Sequence, residues 1–331
     1  MALMAAPALA ADVTIDVDGT RSTDITSSAG DNTAITGTNS ANIPSLIVGG
    51  GNATVDGTLT VNNGSIVTKN GSLTVLGTMN VSYAVCMTST STLRDGGTVN
   101  VDGTLNADSI GIYRASALHI RSGGALTAKK LTVEDGYLEI SGTATASEAL
   151  SLTDAELYLY NDATIATANL SMNGGSFVGI SGALTVSDTA TLSGGALAVA
   201  NGGYFIFGTD DAEWAQTAMN TMAPGSSAAV TTLGLYKPLT LSGTSLAVDN
   251  AYDPSKYGGS TLYLGDKAAL VINVGGLSGA PALTAPDGSV FKAEDDISIY
   301  LANTPGSGSY TLLSGFTGGI VIDGETVGAT L

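Results

Sequence analysis

A chain of 331 residues with a net charge of −18 is a poor match for nucleic acid, because phosphate contacts need clustered Lys and Arg and only Lys129-Lys130 sets two basic residues side by side. Hydrophobic residues at 44% exclude the apolar-poor, charge-rich composition of a disordered chain. With 44 glycines, 8 prolines and only 12% charged residues, the polar surface is left to Ser, Thr, Asn and Gly, which suits strands stacked on one another.

Met1 to Ala11 is apolar and closes on Ala8-Leu9-Ala10, the small-x-small pattern that precedes a signal-peptidase cut. No basic segment precedes it. Residues 1–11 therefore read as the C-terminal part of a longer signal peptide, and the protein is expected to be exported. No later stretch reaches the ~18 apolar residues of a membrane-spanning helix. From Asp12 to about Ile47, weak alternation such as Val13-Thr14-Ile15-Asp16-Val17 predicts irregular first coils that cap the strands behind them.

From Val48 to about Phe207 one short phrase keeps returning. It reads Asp56-Gly57-Thr58-Leu59-Thr60-Val61, then Asn70-Gly71-Ser72-Leu73-Thr74-Val75, then Leu76-Gly77-Thr78-Met79-Asn80-Val81. It comes back as Gly96-Gly97-Thr98-Val99-Asn100-Val101, Asp102-Gly103-Thr104-Leu105-Asn106-Ala107, Gly123-Gly124-Ala125-Leu126-Thr127-Ala128 and Ser181-Gly182-Ala183-Leu184-Thr185-Val186. Alternation at period two predicts a half-buried strand, and the x-Gly pair is expected to supply the positive φ of a tight corner. Units this short bury no face alone, so they must stack on copies of themselves. The predicted fold class is all-β: a right-handed single-stranded parallel β-helix, or β-solenoid, of roughly 20 residues per coil with one short helical insertion. Leu59, Val61, Leu73, Val75, Val99, Val101, Leu126, Leu184 and Val186 are the expected inward side chains.

The solenoid assignment covers residues 12–207, and a helical insertion follows over 208–225. Within it, Asp210 to Met222 reads as a helix with Asp210 as N-cap and Glu213 three residues on. Ala215, Met219 and Met222 share one face, and Pro224-Gly225 ends it. Its expected role is a short lid on the solenoid flank. Strands resume over 226–331, at Leu239-Thr240-Leu241, Leu246-Ala247-Val248, Thr261-Leu262-Tyr263-Leu264 and Ala269 to Val274, with longer corners that carry Pro281, Pro286 and Pro305.

These residues resemble the passenger regions of Gram-negative type V autotransporters. The x-Gly-Thr/Ser/Ala-Leu-Thr/Asn-Val phrase is similar to their repetitive right-handed β-helix. Ser260 to Ile272 and Gly308 to Phe316 resemble the passenger end of large surface autotransporters. The resemblance implies a secreted or surface-displayed protein, held in its full-length precursor by a covalently linked outer-membrane barrel. A barrel needs aromatic girdles and many strands of about ten residues, which 5 Phe and 1 Trp do not furnish here. The chain is accordingly expected to be a fragment of a longer precursor.

Candidate chemistry is sparse. The single histidine, His119, lies in Ala117-Leu118-His119-Ile120-Arg121, where Leu118 and Ile120 face in and His119 and Arg121 face out. The single cysteine, Cys86, permits no internal disulfide and reads as a small packing residue. The Gly-Asp-Ser-Gly signature of autotransporter serine proteases and the Gly-x-Ser-x-Gly elbow are both absent. One His and one Cys exclude the usual zinc sets. Asp16-Val17-Asp18-Gly19 and Glu294-Asp295-Asp296 match no calcium loop and read as polar turns. Glu134-Asp135, Glu139, Asp154, Glu156 and Asp162 are the carboxylates a polysaccharide-cleaving β-helix would need, with Glu139 and Glu156 expected near one another on an outer face. No catalytic, cofactor-binding or metal residue is assigned. The expected function is non-catalytic adhesion or self-association, with surface glycans or proteins of a host or neighbouring cell, or a second copy, as partners. Thr58-Thr60 and Thr98-Asn100 are candidate ladders for such contacts. The alternatives are a β-helical lyase or glycosidase and a structural spacer.

Overall fold

The computed structural model describes residues 12–16, 19–20, 23–68, 70–88, 96–211, 213–222, 230–249, 261–265, 267–293, 297–303, 311–317, 320–322 and 325–327. Two compact units divide the chain, Met1–Leu138 and Glu139–Leu331. In both, the strands pair in parallel with the strands one coil away, which is the arrangement of a parallel β-helix.

The first unit follows directly from period-two alternation. Ser72–Val75 pairs with Asn52–Thr68 on one side and Thr98–Val101 on the other, and Ala117–Ile120 extends the row. Register sets Ala53, Leu73, Val99 and Leu118 in one inward stack, none more than 1% exposed. Leu59, Met79, Leu105 and Leu126 form the second wall, and Val85, Ile110 and Leu131 the third. All are buried. Each such Leu or Ile contributes about 2 kcal/mol by leaving water. The intervening residues face out, so Thr74, Asn100 and His119 make an outer row above Leu73, Val99 and Leu118. Coil length varies: Asn52 lies 20 residues after its partner Asn32, and Asn106 lies 26 after Asn80.

The corner glycines act differently from the expectation. A positive φ occurs at Gly57 (126°) and Gly123 (84°), and Asn70 takes it at 60°. Gly77, Gly97 and Gly103 have no such φ; instead a Cβ on any of them would drive into the backbone of the preceding coil. On Gly97 it would sit 2.5 Å from the Val67 carbonyl oxygen. The repeated glycine is there mainly because stacked corners touch backbone to backbone, a close approach that only a missing side chain allows.

The second unit continues the same logic with larger side chains. Leu157, Val178, Leu197, Leu246 and Leu262 stack in register, all fully buried. All of the expected inward residues, including Leu184 and Val186, are buried. Between Gly194 and its hydrogen-bonding partner Thr244 the chain makes an excursion of 50 residues, which carries the helix Trp214–Met222. That helix starts later than expected, and Asp211 rather than Asp210 accepts the Glu213 backbone N–H, at 3.0 Å. Asp210 stays exposed because it precedes the first helical turn. The side chains of Met219 and Met222 lie outside the described residues.

The helix rests on the outer side of the wall formed by Tyr204–Phe207, Thr231–Leu235 and Ala268–Asn273. Ala215, Ile206, Ala269 and Val271 are buried together there, with Trp214, Ala218 and Tyr300 packed around them. Gly234 lies in register between Ile206 and Val271, and its missing side chain admits Ala215, whose Cβ would otherwise be 3.0 Å from a Cβ. Trp214 meets Tyr236 edge to face at 5.2 Å. Covered on both sides, Thr231–Leu235 and Ala268–Asn273 are buried at every position, and strict alternation disappears from their sequences. A short antiparallel pair, Ile320–Ile322 with Glu325–Val327, follows the last parallel strand. Among the described residues no helix is long and apolar enough to cross a membrane.

Candidate functional site

Outward side chains are where a β-helix meets its surroundings, because every second residue of each wall is consumed by the core. In the first unit these outer rows are mostly polar and largely turned on themselves, with Leu76 and Tyr83 as exposed exceptions. Asn106 donates to Asn80 at 2.9 Å and Asn52 donates to Asn32 at 3.0 Å. Thr58 and Thr60 align with Thr78 and Asn80, and Thr98 and Asn100 with Ser72 and Thr74, all half-buried. His119 faces out beside Asn100 and tilts against the Tyr137 ring at 5.7 Å. Arg121 is exposed, donates to the Asn100 side-chain oxygen at 3.1 Å and lies 3.9 Å from the Asp102 carboxylate.

Cys86 points outward from the Val85–Met87 segment and pairs in register with Gly111. The Tyr113 ring folds over Gly111, where a Cβ would meet it. Burial pushes the Cys86 thiol above its ordinary value. Burial also raises the Tyr113 phenol, with smaller contributions from Cys86 and Glu134. A raised thiol pKa makes Cys86 a sluggish nucleophile at neutral pH.

Several of the candidate carboxylates have structural work. Asp135, Asp154 and Asp162 occupy left-handed corner positions with φ of 49°, 48° and 67°. The Asp154 carboxylate accepts the Gly175 N–H of the next coil at 2.7 Å, which ties two corners together. Glu134 is exposed. Glu139 and Glu156 belong to hydrogen-bonded neighbouring strands, Tyr137–Ile140 and Glu156–Leu159, and both point outward. Asp18 and Glu294-Asp295-Asp296 lie outside the described residues, as does the side chain of Asp16. Among the described residues no three His, Cys, Asp or Glu side chains converge on a point that could hold a metal ion.

One outer surface of the second unit differs from the rest. Tyr158 pairs with Gly179, and Phe177 stands two residues before that glycine on the same face. The two rings close over Gly179 with centroids 5.4 Å apart and planes tilted 50°. A Cβ on Gly179 would lie 3.1 Å from the Phe177 ring and 3.2 Å from the Tyr158 ring, so glycine is what lets them meet. Tyr160 stands beside them, 44% exposed. A groove of about 130 Å3 runs past these rings to Ser181 and Asn201. Its lining residues carry polar bonds: the Tyr158 hydroxyl donates to Glu156, outside the lining, at 3.1 Å, and Asn201 donates to the Ser181 hydroxyl at 3.3 Å. Leu159, Ile180, Ala198 and Ala200 complete its lining, and Phe177 also packs against the buried cluster of Ala198, Ala247 and Tyr263.

This aromatic groove was missed in the sequence, although a signal was there. Aromatic residues are only 5% of the chain, yet Leu157-Tyr158-Leu159-Tyr160 and Phe177-Val178-Gly179-Ile180 place three of them at outward phase on successive coils. No family model, curated protein or solved structure matches the chain.

Proposed function

We propose that this chain is a non-catalytic passenger of the autotransporter type, displayed at or released from the cell surface, that works by adhesion or self-association. The observation that carries this reading is the outward groove that Tyr158, Tyr160 and Phe177 line together with Leu159, Ile180, small residues and the polar Ser181 and Asn201. An exposed Tyr160 beside half-buried Tyr158 and Phe177 favours contact with an external partner, because solvent-facing aromatic surface otherwise costs solubility. Repetition of coils multiplies weak outward contacts into appreciable avidity. The surface location, and an outer-membrane barrel in the precursor, belong to the same proposal.

The test is display of the full-length precursor on cells that lack it. Clumping, or binding to mucin or matrix, is the expected result. Protease shaving of intact cells should remove the passenger if it is at the surface. A β-helical polysaccharide-acting enzyme is the second reading, favoured by the outward Glu139 and Glu156 on neighbouring strands. It requires release of reducing or unsaturated sugar ends, lost in Glu139→Gln or Glu156→Gln. Cells that neither clump nor bind, with no sugar released, would leave a spacer.

A further inference from the structure

We infer that the groove at Tyr158, Tyr160 and Phe177 is a subsite for one neutral hexopyranose ring of a glycan, an inference that rests on the adhesion reading above. A pyranose has a flat face of C–H groups and an edge of hydroxyls. The C–H groups carry partial positive charge and stack on the negative face of an aromatic ring. Tyr158 and Phe177, tilted 50° to one another over Gly179, line the groove, with Tyr160 exposed alongside. The hydroxyl edge needs donors and acceptors at the rim. The lining supplies the Tyr158 hydroxyl, which donates to Glu156 outside the lining, and the Asn201 and Ser181 side chains, which bond to each other.

Size and charge narrow the occupant. At about 130 Å3 the groove falls well below the ~300 Å3 of a pocket for a drug-sized ligand, so it takes one ring and leaves the remainder of the glycan on the open wall. The protein's net charge is −18, and among the described residues no Lys or Arg lines the groove. A uronic or sialic acid would meet like charge without a counter-ion, whereas a neutral hexose meets acceptors for its hydroxyls. The shallow site binds weakly by itself, and display of many copies on one cell supplies the avidity.

The full chain should be titrated with neutral gluco- and galacto-oligosaccharides and with polygalacturonate, observed by saturation-transfer NMR and calorimetry. The neutral sugars are expected to bind, with transfer concentrated on their C–H faces. Tyr158→Ala and Phe177→Ala should each weaken binding at least tenfold, as loss of a stacking ring does. Tyr160→Ala, at an exposed position that folding does not depend on, should weaken it severalfold. Tyr83→Ala, which removes another tyrosine at 63% exposure in the first unit, should leave it unchanged. Equal binding by wild type and the three groove variants, preference for polygalacturonate, or no neutral binding at all overturns the subsite. Adhesion of displayed cells that survives Tyr160→Ala and Phe177→Ala leaves the adhesion reading standing and removes only the subsite. Neutral-sugar binding without cell adhesion does the reverse.

Discussion

Replacing Gly97 by Ala tests why glycine recurs at the corners. The added Cβ would lie 2.5 Å from the Val67 carbonyl oxygen and 2.7 Å from both its carbonyl carbon and its Cγ1. Ordinary carbon–oxygen approach is about 3.3 Å, so the corner must open by about 0.8 Å, against backbone rather than a flexible side-chain tip. That opening stretches the bonds that clamp the corner, Thr98 N–H to Gly71 at 2.8 Å and Ala117 N–H to Gly97 at 2.9 Å. Overpacking of about 1–3 kcal/mol and weakening of two bonds worth about 1 kcal/mol each point to a local loss of about 3 kcal/mol. Solenoids need not unfold in one step, so the measurement is native-state hydrogen exchange at the Thr98 and Ala117 amides. Exchange there should speed up roughly a hundredfold. The comparison is Gly123→Ala, where φ is +84° and nothing lies within 4 Å, so the only cost is about 1 kcal/mol of left-handed strain. Asn should rescue position 123, since it tolerates that φ, and should worsen position 97 because it is larger. If Gly97→Ala exchanged like wild type, or if Asn were tolerated better at 97 than at 123, the close-approach account would fail.

Ala215→Leu should lift the helix Trp214–Met222 off Gly234 and uncover Ile206 and Val271, at a cost of about 1–3 kcal/mol, read as increased binding of an apolar dye with strand content retained by circular dichroism. Phe205→Ala, which removes a fully buried ring, should cost about 3–5 kcal/mol in denaturant midpoint experiments, whereas Phe177→Ala, half-buried against Ala198, Ala247 and Tyr263, should cost less. Cys86 and Tyr113 have folded pKa values raised above their ordinary 9.0 and 10.0, so the folded protein holds those protons longer than the unfolded chain. Their contribution to stability is therefore full below pH 9 and is lost as pH rises through the folded values; alkylation of Cys86 by iodoacetamide should reach half its maximal rate above pH 9, and a midpoint at or below 9 would contradict its burial.

Which side chains enter the core was legible in the sequence. Leu73 and Val75 or Leu184 and Val186 are inward because alternation is a property of the strand itself, settled within a few residues. The x-Gly corners and the helix near Trp214 were legible for the same local reason. The physical role of the glycines was not: a positive φ can be guessed from neighbours in the chain, but contact between Gly97 and Val67 depends on what the previous coil brings alongside. The switch of the helix-start acceptor from Asp210 to Asp211 is likewise a matter of where the first turn begins, which docking of Ala215 against Ile206 and Val271 decides. The candidate site lies at the far end of this scale. That Glu139 and Glu156 fall on neighbouring strands was legible by counting strands along the repeat. The meeting of Tyr158 with Phe177 needed the register as well, because it is the register that sets Gly179, with no side chain in the way, opposite Tyr158. Period two along the chain thus fixes what faces inward, and the stacking of coils of unequal length decides which outward residues become neighbours.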